Sequence, residues 1–267
     1  MKAEAAVDVG GHLLRCRDAR IPQLPEFTVA RRLYNEGKFD EALDAARKAL
    51  AIPATASSAR LVMGRIQLER YRRAPSEAAI DEAKATLRAV DARALDQRER
   101  IELQVGLATL LYFEDRFGAA AELLDPVVDS SATLAPDAHE RALEWWATAL
   151  DRQAQAQPAG ERTDVYLRIA ERMEQQLRRS SGSGPASYWL AASARGAGDL
   201  ERAWSAATAG WIRASLAPDR GETLKADLDR LVTTAIIPER AAKLPARDRK
   251  QALTSMAADW EHFKRIW

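Results

Sequence analysis

Cysteine is nearly absent from this sequence: Cys16 is the only one among 267 residues. One cysteine cannot form an intrachain disulfide, and it cannot supply the several thiolates of a structural zinc site. Aromatic residues make up only 6% of the chain, and the alternation of Val, Ile and Thr that is typical of strands is also rare. These shortages exclude a disulfide-rich scaffold and favour an all-α fold.

Long apolar runs and an excess of one charge are missing as well. No stretch of about 18 apolar residues predicts a transmembrane helix, and the N-terminal residues lack the apolar segment of a signal peptide. We therefore expect a cytoplasmic protein, or a periplasmic one if a signal peptide has been removed. The net charge of +1 argues against nucleic-acid binding by bulk electrostatics. Most of the 40 basic residues are arginine, which indicates a GC-rich, bacterial genome.

The motifs that mark common catalytic sites do not occur. His12, His139 and His262 are far apart in the sequence and lack the spacing of metal ligands. There is no Gly-x-Ser-x-Gly, no phosphate-binding Gly-x-x-x-x-Gly-Lys and no dinucleotide-binding fingerprint. We expect no enzymatic activity, no catalytic residues, no metal and no cofactor.

What the sequence does contain is a recurring pattern of small and bulky apolar residues. The pattern is clearest in residues 27–52, where two amphipathic helices are predicted on either side of a turn at Gly37 and Lys38. The apolar positions fall three and four residues apart, which is the spacing of one helical face. Small Ala30 and Ala42 allow the helices to cross closely, and bulky neighbours fill the surrounding space.

Weaker versions of this pattern follow, so that five helical hairpins are predicted. The small position of their second helices falls at Ala42, Ala83, Ala120, Ala170 and Ala203. The pattern resembles the tetratricopeptide repeat (TPR), a helix–turn–helix unit of about 34 residues. This resemblance covers residues 27–216 and implies a right-handed superhelix of about five TPR-like repeats. The alternative is an irregular helical bundle whose alanines merely follow composition.

We expect three regions along the chain. Residues 1–25 contain helix-blocking prolines and form an irregular lead-in. The TPR-like repeats occupy residues 26–216, at about 26–53, 58–92, 96–129, 136–178 and 185–216. Residues 217–267 then form C-terminal helices that cap the solenoid.

Local signals mark several helix ends. Ser57 or Ser58 is a candidate N-cap, and Asp96 with Glu99 forms a predicted capping box. Pro126 is expected to shorten or kink the helix that contains it.

Other signals predict how the helices are connected. Residues 70–79 and 155–164 are interpreted as connections longer than a standard turn, and residues 180–185 as a flexible break. Pro238 is expected to stop the helix that begins near Gly221.

The final predicted helix carries one apolar stripe, and its members fall three and four residues apart. The stripe consists of Leu253, Met256, Trp260, Phe263 and Trp267. A solenoid leaves an apolar face exposed on its last repeat, so we expect this helix to cover that face. The alternative is an exposed docking helix for a partner.

Tryptophan is concentrated in the second half of the chain. Trp145 and Trp146 are adjacent and point about 100° apart on a helix, so one is expected in the core and the other in the groove or on the surface. Five more are expected to pack around the C-terminal cap, with an aromatic ligand pocket as the alternative: Trp189, Trp204, Trp211, Trp260 and Trp267.

The TPR resemblance implies a concave groove lined by the inner face of each first helix. Transferred to this sequence, it gives a candidate peptide-binding groove of Phe27, Arg31, Tyr34, Leu61, Arg65, Leu68, Tyr112, Thr148, Tyr188 and Arg195. The same face includes Val105, Thr109, Glu144, Asp151 and Ala192. Aromatic residues beside arginines suit a peptide carrying acidic groups, because arginine pairs bidentately with carboxylates. The alternative is that Phe27 and Tyr34 only pack between repeats.

The sequence therefore predicts a non-catalytic adaptor or scaffold that binds another protein or a peptide in this groove, and no nucleic acid. The alternative is a structural or accessory subunit of a larger envelope or secretion assembly that acts through its outer surface. The partner, the pathway and the oligomeric state do not follow from the sequence.

Overall fold

The computed structural model describes residues 26–130, 136–216 and 221–267. The expected lead-in, residues 1–25, lies outside the described residues. The described part of the chain is helical and contains no strand, which confirms the all-α class. The chain divides into two compact units, one ending at Leu95 and the other running from Asp96 to Trp267. The predicted division into three regions stays a prediction.

The first unit contains two helical hairpins. Its helices are α1 (Glu26–Asn35), α2 (Phe39–Leu50), α3 (Ala56–Arg73) and α4 (Glu77–Arg88). Gly37 has a φ of 75°, a conformation that glycine adopts without steric cost, and it forms the turn between α1 and α2. Ala30 and Ala42 are fully buried, as the pattern of small residues predicts.

The second unit contains three further hairpins and a C-terminal group of helices. Its helices are α5 (Gln97–Phe113), α6 (Phe117–Ser130), α7 (Pro136–Gln155), α8 (Ala159–Arg179), α9 (Gly184–Gly196), α10 (Leu200–Arg213), α11 (Glu222–Leu231), α12 (Ile237–Ala242) and α13 (Ala246–Ile266). The predicted capping box begins α5. Asp96 Oδ1 accepts a hydrogen bond from the Glu99 amide (2.8 Å), and Glu99 Oε2 accepts one from the Asp96 amide (3.1 Å).

The small position of every second helix is buried. Ala42, Ala83, Ala120 and Ala203 have no exposed surface, and Ala170 has 3%. Gly64 is packed even more closely, because an added Cβ would lie 2.5 Å from Cδ2 of Leu87. These residues therefore lie where helices approach each other.

Two connections are shorter than predicted. Helix α3 continues to Arg73, so three residues, 74–76, separate it from α4. Three residues, 156–158, likewise separate α7 from α8. The prediction of long connections was wrong because the Arg, Ala and Glu residues in them are good helix formers and extend α3 and α8.

The predicted serine N-cap is also wrong. Neither Ser57 nor Ser58 caps α3, because both are buried inside its first turn. The Ser57 hydroxyl instead accepts a hydrogen bond from the Asp91 amide (3.2 Å). Thr55 occupies the N-cap position, but its hydroxyl donates to the carbonyl of Ala49 at the end of α2 (2.8 Å).

Residues 180–185 form a packed turn rather than the predicted flexible break. Ser183 is 3% exposed, and its Oγ accepts a hydrogen bond from the Ala186 amide (3.3 Å), which caps α9. The same hydroxyl donates to Glu140 Oε2 (2.7 Å). Because Glu140 belongs to α7, the cap also ties the two helices together.

Two prolines lie within continuing helical segments, so Pro126 does not shorten α6 and Pro238 does not stop its helix. Pro126 lies on the exposed side of α6, which continues to Ser130. Pro238 lies in the first turn of α12. A π-helical turn, Val232–Ile236, precedes it, and the helical path continues to Ala242.

Helix α13 is anchored by Trp260, which is fully buried. Its ring stacks on Phe263 (5.6 Å between centroids) and meets Trp211 edge-on (5.4 Å). Its indole N–H donates to Asp229 Oδ1 (2.8 Å), which also accepts from Lys264 (2.7 Å). Burial opposes the ionisation of Asp229, but Lys264 and Trp260 outweigh it and lower the pKa of Asp229.

The ends of the predicted stripe remain exposed. Leu253 is 38% and Trp267 is 63% exposed, so only the middle of the stripe covers the end of the unit. Of the five C-terminal tryptophans, Trp189 packs beside Tyr188 rather than at the cap. Trp145 and Trp146 point to different surroundings, as predicted: Trp146 is buried in the core and Trp145 is half-buried.

We expect Ala120→Trp to lower the free energy of unfolding by about 1–3 kcal/mol, because the indole overpacks a helix crossing. Ala119→Trp is the matched control, since Ala119 is exposed on the same helix. Chemical denaturation followed by circular dichroism measures both. Equal stability of the two variants would contradict the placement of Ala120 at a crossing.

We expect Trp260→Ala to destabilise the protein by about 3–5 kcal/mol through loss of buried contacts. Trp267→Ala removes an equally large side chain from an exposed position and should change stability by less than about 0.5 kcal/mol. Thermal and chemical unfolding provide the comparison. If Trp260→Ala melted like the parent protein, α13 would not act as a cap.

Candidate functional site

Two of the groove residues expected in the first unit are not available to a ligand. Leu61 has no exposed surface and Leu68 has 4%. The expectation fails because α3 packs against α1, α2 and α4 and so buries apolar residues on several sides. A helix buried in this way has no single apolar stripe, and its periodicity does not show which side faces a groove.

The other four groove residues of the first unit form two arginine–aromatic pairs. The Arg31 guanidinium lies 5.9 Å from the Phe27 ring centroid, and that of Arg65 lies 4.4 Å from the Tyr34 centroid. Tyr34 also packs against Phe39, with ring centroids 5.6 Å apart. Both pairs are partly exposed, and each uses one face of a guanidinium for stacking within the unit.

Four of the expected face residues of the second unit line a cavity of about 380 Å³. They are Asp151, Tyr188, Ala192 and Arg195. The rest of the lining is Gln155, Arg162, Tyr166, Trp189, Gly196, Leu231 and Glu239. Helices α7, α8, α9, α11 and α12 contribute these residues, so the cavity is built by the packing of the hairpins against the C-terminal helices.

Tyr112 and Thr148 belong to the same face but do not line the cavity. Tyr112 meets Trp145 edge-on, with ring centroids 5.2 Å apart, and Phe113 lies 6.1 Å from the same indole. Thr148 is half-buried on α7. The face therefore carries an aromatic cluster of Tyr112, Phe113 and Trp145 in addition to the cavity.

Arg195 forms an ion pair with Glu239 that the sequence did not predict. Its Nε and Nη2 atoms donate to Oε1 of Glu239, at 2.9 and 2.5 Å. The Glu239 carboxylate raises the pKa of Arg195 and satisfies its guanidinium. A ligand carboxylate at Arg195 would have to compete with Glu239, and the expectation that Arg195 binds an acidic ligand stays a prediction.

Asp151 is the second acid in the cavity, and its partners are neutral. Its Oδ1 accepts a hydrogen bond from the Tyr166 hydroxyl (2.9 Å), and its Oδ2 accepts one from Gln155 Nε2 (2.6 Å). Burial raises the pKa of Asp151, although these bonds and the charges of Arg152 and Arg195 oppose the shift. Burial together with the charge of Asp151 raises the pKa of Tyr166 to about 12.

Glu144 lies about two helical turns before Asp151 on α7. Burial raises its pKa, and the charges of Asp227 and Glu140 add to the shift. Among the described residues, neither Glu144 nor Asp151 forms an ion pair. Burial and the charges of Asp227, Glu144 and Asp151 also raise the pKa of Tyr188, although the charge of Arg230 opposes the shift.

Sequence analysis missed Tyr166, Asp227 and Glu239. Tyr166 lies on a second helix, which the repeat pattern assigns to the outer layer, and Asp227 and Glu239 lie beyond the last repeat. Glu239 follows Arg195 by 44 residues. No signal in the sequence connects the two, since only the fold brings a residue of α12 within hydrogen-bond distance of a residue of α9.

The described residues contain neither a metal-binding cluster nor a membrane-spanning helix. No group of three or more His, Cys, Asp and Glu residues there is arranged to hold a metal ion. None of the helices in ranges 26–130, 136–216 and 221–267 is both long and apolar enough to cross a membrane.

Comparison with known proteins supports the fold. No protein-family model and no curated protein matches the chain. The structure of a putative kinesin light chain from Podosopora anserina with nearly identical TPR-like repeats has a TM-score of 0.50 and 18% identity, over 72% of this chain and 94% of that one. YrrB, a TPR protein with an unusual peptide-binding site, has a TM-score of 0.46 and 16% identity, over 76% of this chain and 91% of that one. The chain has the all-α fold of TPR-like repeats.

We expect Glu144→Gln to stabilise the protein at pH 7. Burial raises the pKa of Glu144, so the charged form costs folding free energy above that pKa and the neutral amide removes the cost. The gain should shrink as the pH falls through the raised pKa, and it should vanish below 4.5, the ordinary pKa of glutamate. Melting temperatures from pH 3.5 to 8 measure this dependence.

Glu171→Gln is the matched control, because it makes the same change at an exposed position on α8. It should leave the melting temperature nearly unchanged across this range. A Glu144→Gln variant that is less stable than the parent protein at pH 7 would mean that a cation already balances this carboxylate.

Proposed function

We propose that this protein is a non-catalytic adaptor that binds a peptide segment of another protein through the inner face of its second unit. The observation that carries the proposal is the combination, on one face of α7 and α9, of an open cavity with half-exposed aromatic side chains. Aromatic residues are enriched at the centre of protein interfaces, where they supply large contact areas.

Two aromatic groups on this face are positioned to anchor a peptide. Trp145 is half-buried and is held edge-on by Tyr112, and Tyr188 lies at the cavity, held edge-on by Trp189 at 5.4 Å. Rigid aromatic anchors lose little conformational entropy on binding. A peptide that lies along the face would contact both groups.

The chemistry of the cavity favours binding over catalysis. Its lining contains no serine, cysteine, histidine or lysine, so it lacks the Ser–His and Cys–His pairs that activate a nucleophile. Arg195 is satisfied by Glu239, and Asp151 is hydrogen-bonded to Tyr166 and Gln155. These groups hold the walls of the cavity in place.

The second candidate function is that of an assembly subunit that acts through its outer surface. It is favoured by the exposed apolar side chains at the end of α13, where Ile266 is 62% and Trp267 is 63% exposed. An apolar helix end of this kind is a possible contact for another subunit.

Selection from a phage-displayed library of random 12-residue peptides tests the proposed function. We expect the full chain to enrich a peptide consensus, and the variant Trp145→Ala/Tyr188→Ala to lose it because both anchors are removed. Circular dichroism must show that the variant stays folded.

The control variant is Ile266→Ala/Trp267→Ala, which alters the exposed end of α13 and should bind the selected peptides normally. If the control variant no longer binds the selected peptides while Trp145→Ala/Tyr188→Ala still binds them, the function as an assembly subunit is favoured. Failure to enrich any peptide would refute the proposed function.

A further inference from the structure

We propose that the cavity of the second unit takes a lysine or arginine side chain, so that the partner is a basic peptide rather than an acidic one. This inference rests on the proposed function, since it names the chemistry of the ligand at the same site. It reverses the expectation from the sequence, in which the arginines of the face select acidic groups.

Arg195, one of the two arginines of the cavity, is already paired with a carboxylate of the protein. Arg195 directs two of its nitrogen atoms at Glu239, at 2.9 and 2.5 Å, and a guanidinium bonded in this way has its charge balanced. Arg162 is exposed at the rim, where its Nε donates to the carbonyl of Gln157 (2.7 Å). A ligand carboxylate would have to compete with Glu239 for Arg195.

Asp151, in contrast, can accept further hydrogen bonds. An ionised carboxylate accepts about four hydrogen bonds, and Asp151 accepts one from Tyr166 and one from Gln155. Both donors are neutral, and Asp151 forms no ion pair among the described residues, although the charges of Arg152 and Arg195 act on it. An incoming ammonium or guanidinium would supply both the missing donors and the missing charge.

Glu144 and Tyr188 extend this site along the face. Glu144 forms no ion pair among the described residues, and Asp227 pairs with Arg230, three residues away on its own helix (2.5 Å). Tyr188 lines the same cavity as Asp151, and burial and the charges of Asp227, Glu144 and Asp151 raise its pKa. A cation that lies over an aromatic ring beside carboxylates is attracted by both.

The size of the cavity fits such a group. A volume of about 380 Å³ is at the lower end of the range of about 300–1,000 Å³ found for small-molecule sites. A long side chain can enter it while the peptide backbone stays outside. The aliphatic part of that side chain would pack on Ala192, Leu231 and the Tyr188 ring, and its charged end would reach Asp151.

The composition of the peptides selected from the 12-residue library tests this inference. We expect at least one position to be enriched in Lys and Arg and depleted in Asp and Glu relative to the unselected library. In a synthetic copy of the best peptide, replacing that basic residue by Gln should weaken binding at least about tenfold by fluorescence anisotropy. Binding should also weaken as salt is raised.

The matching change in the protein is Glu144→Gln/Asp151→Asn, which keeps shape and removes two charges. It should weaken the same peptide at least about tenfold. The control, Asp164→Asn/Glu171→Gln, removes two charges from exposed positions on α8 and should leave affinity within about twofold at physiological salt.

The outcomes separate the inference from the proposed function. If no peptide is enriched, both fall. If peptides are enriched but carry acidic or uncharged residues, or if both double variants bind equally well, the proposed function stands and the inference is wrong.

Discussion

Close approach of helices at small side chains is the constraint on which the rest of this structure depends. Ala42, Ala120 and Ala203 have no exposed surface, and a larger side chain at such positions would push the helices apart. The constraint reaches the candidate site at Gly196, where an added Cβ would collide with the Tyr166 ring. Without that close contact between α8 and α9, the Tyr166 hydroxyl would not reach Asp151.

Charge pairing differs between two parts of the second unit. Between α6 and α8, Arg172 bonds Asp129 and Asp125 (2.5 and 3.1 Å) and lies over the Trp146 ring, so acids and bases balance each other. Near the cavity, Arg195 pairs with Glu239, whereas Glu144 and Asp151 have no ion-pair partner within the described chain. Uncompensated, partly buried charge lowers folding stability. Such a cost is typical of sites that are kept for binding rather than for stability.

Sequence reasoning worked where local signals decide structure. The spacing of apolar residues located the helices of the first hairpin, and Asp96 with Glu99 identified a cap that the structure confirms. Contacts between distant elements were not predicted from the sequence. Leu68 is buried because three helices surround α3, and Arg195 forms an ion pair with a residue of α12. Several residue types of the site were therefore predictable, but their ion pairs were not, because ion pairs between helices do not follow from repeat spacing.

Photo-crosslinking is the most direct test of the central claim that the inner face of the second unit binds a basic peptide. The selected peptide would carry a benzophenone amino acid next to its basic residue, and mass spectrometry would locate the crosslinked positions on the full chain. The account predicts crosslinks within residues 144–155, 188–196 and 227–239. Crosslinks confined to the outer surface of α6 and α8, or to the exposed end of α13, would contradict it.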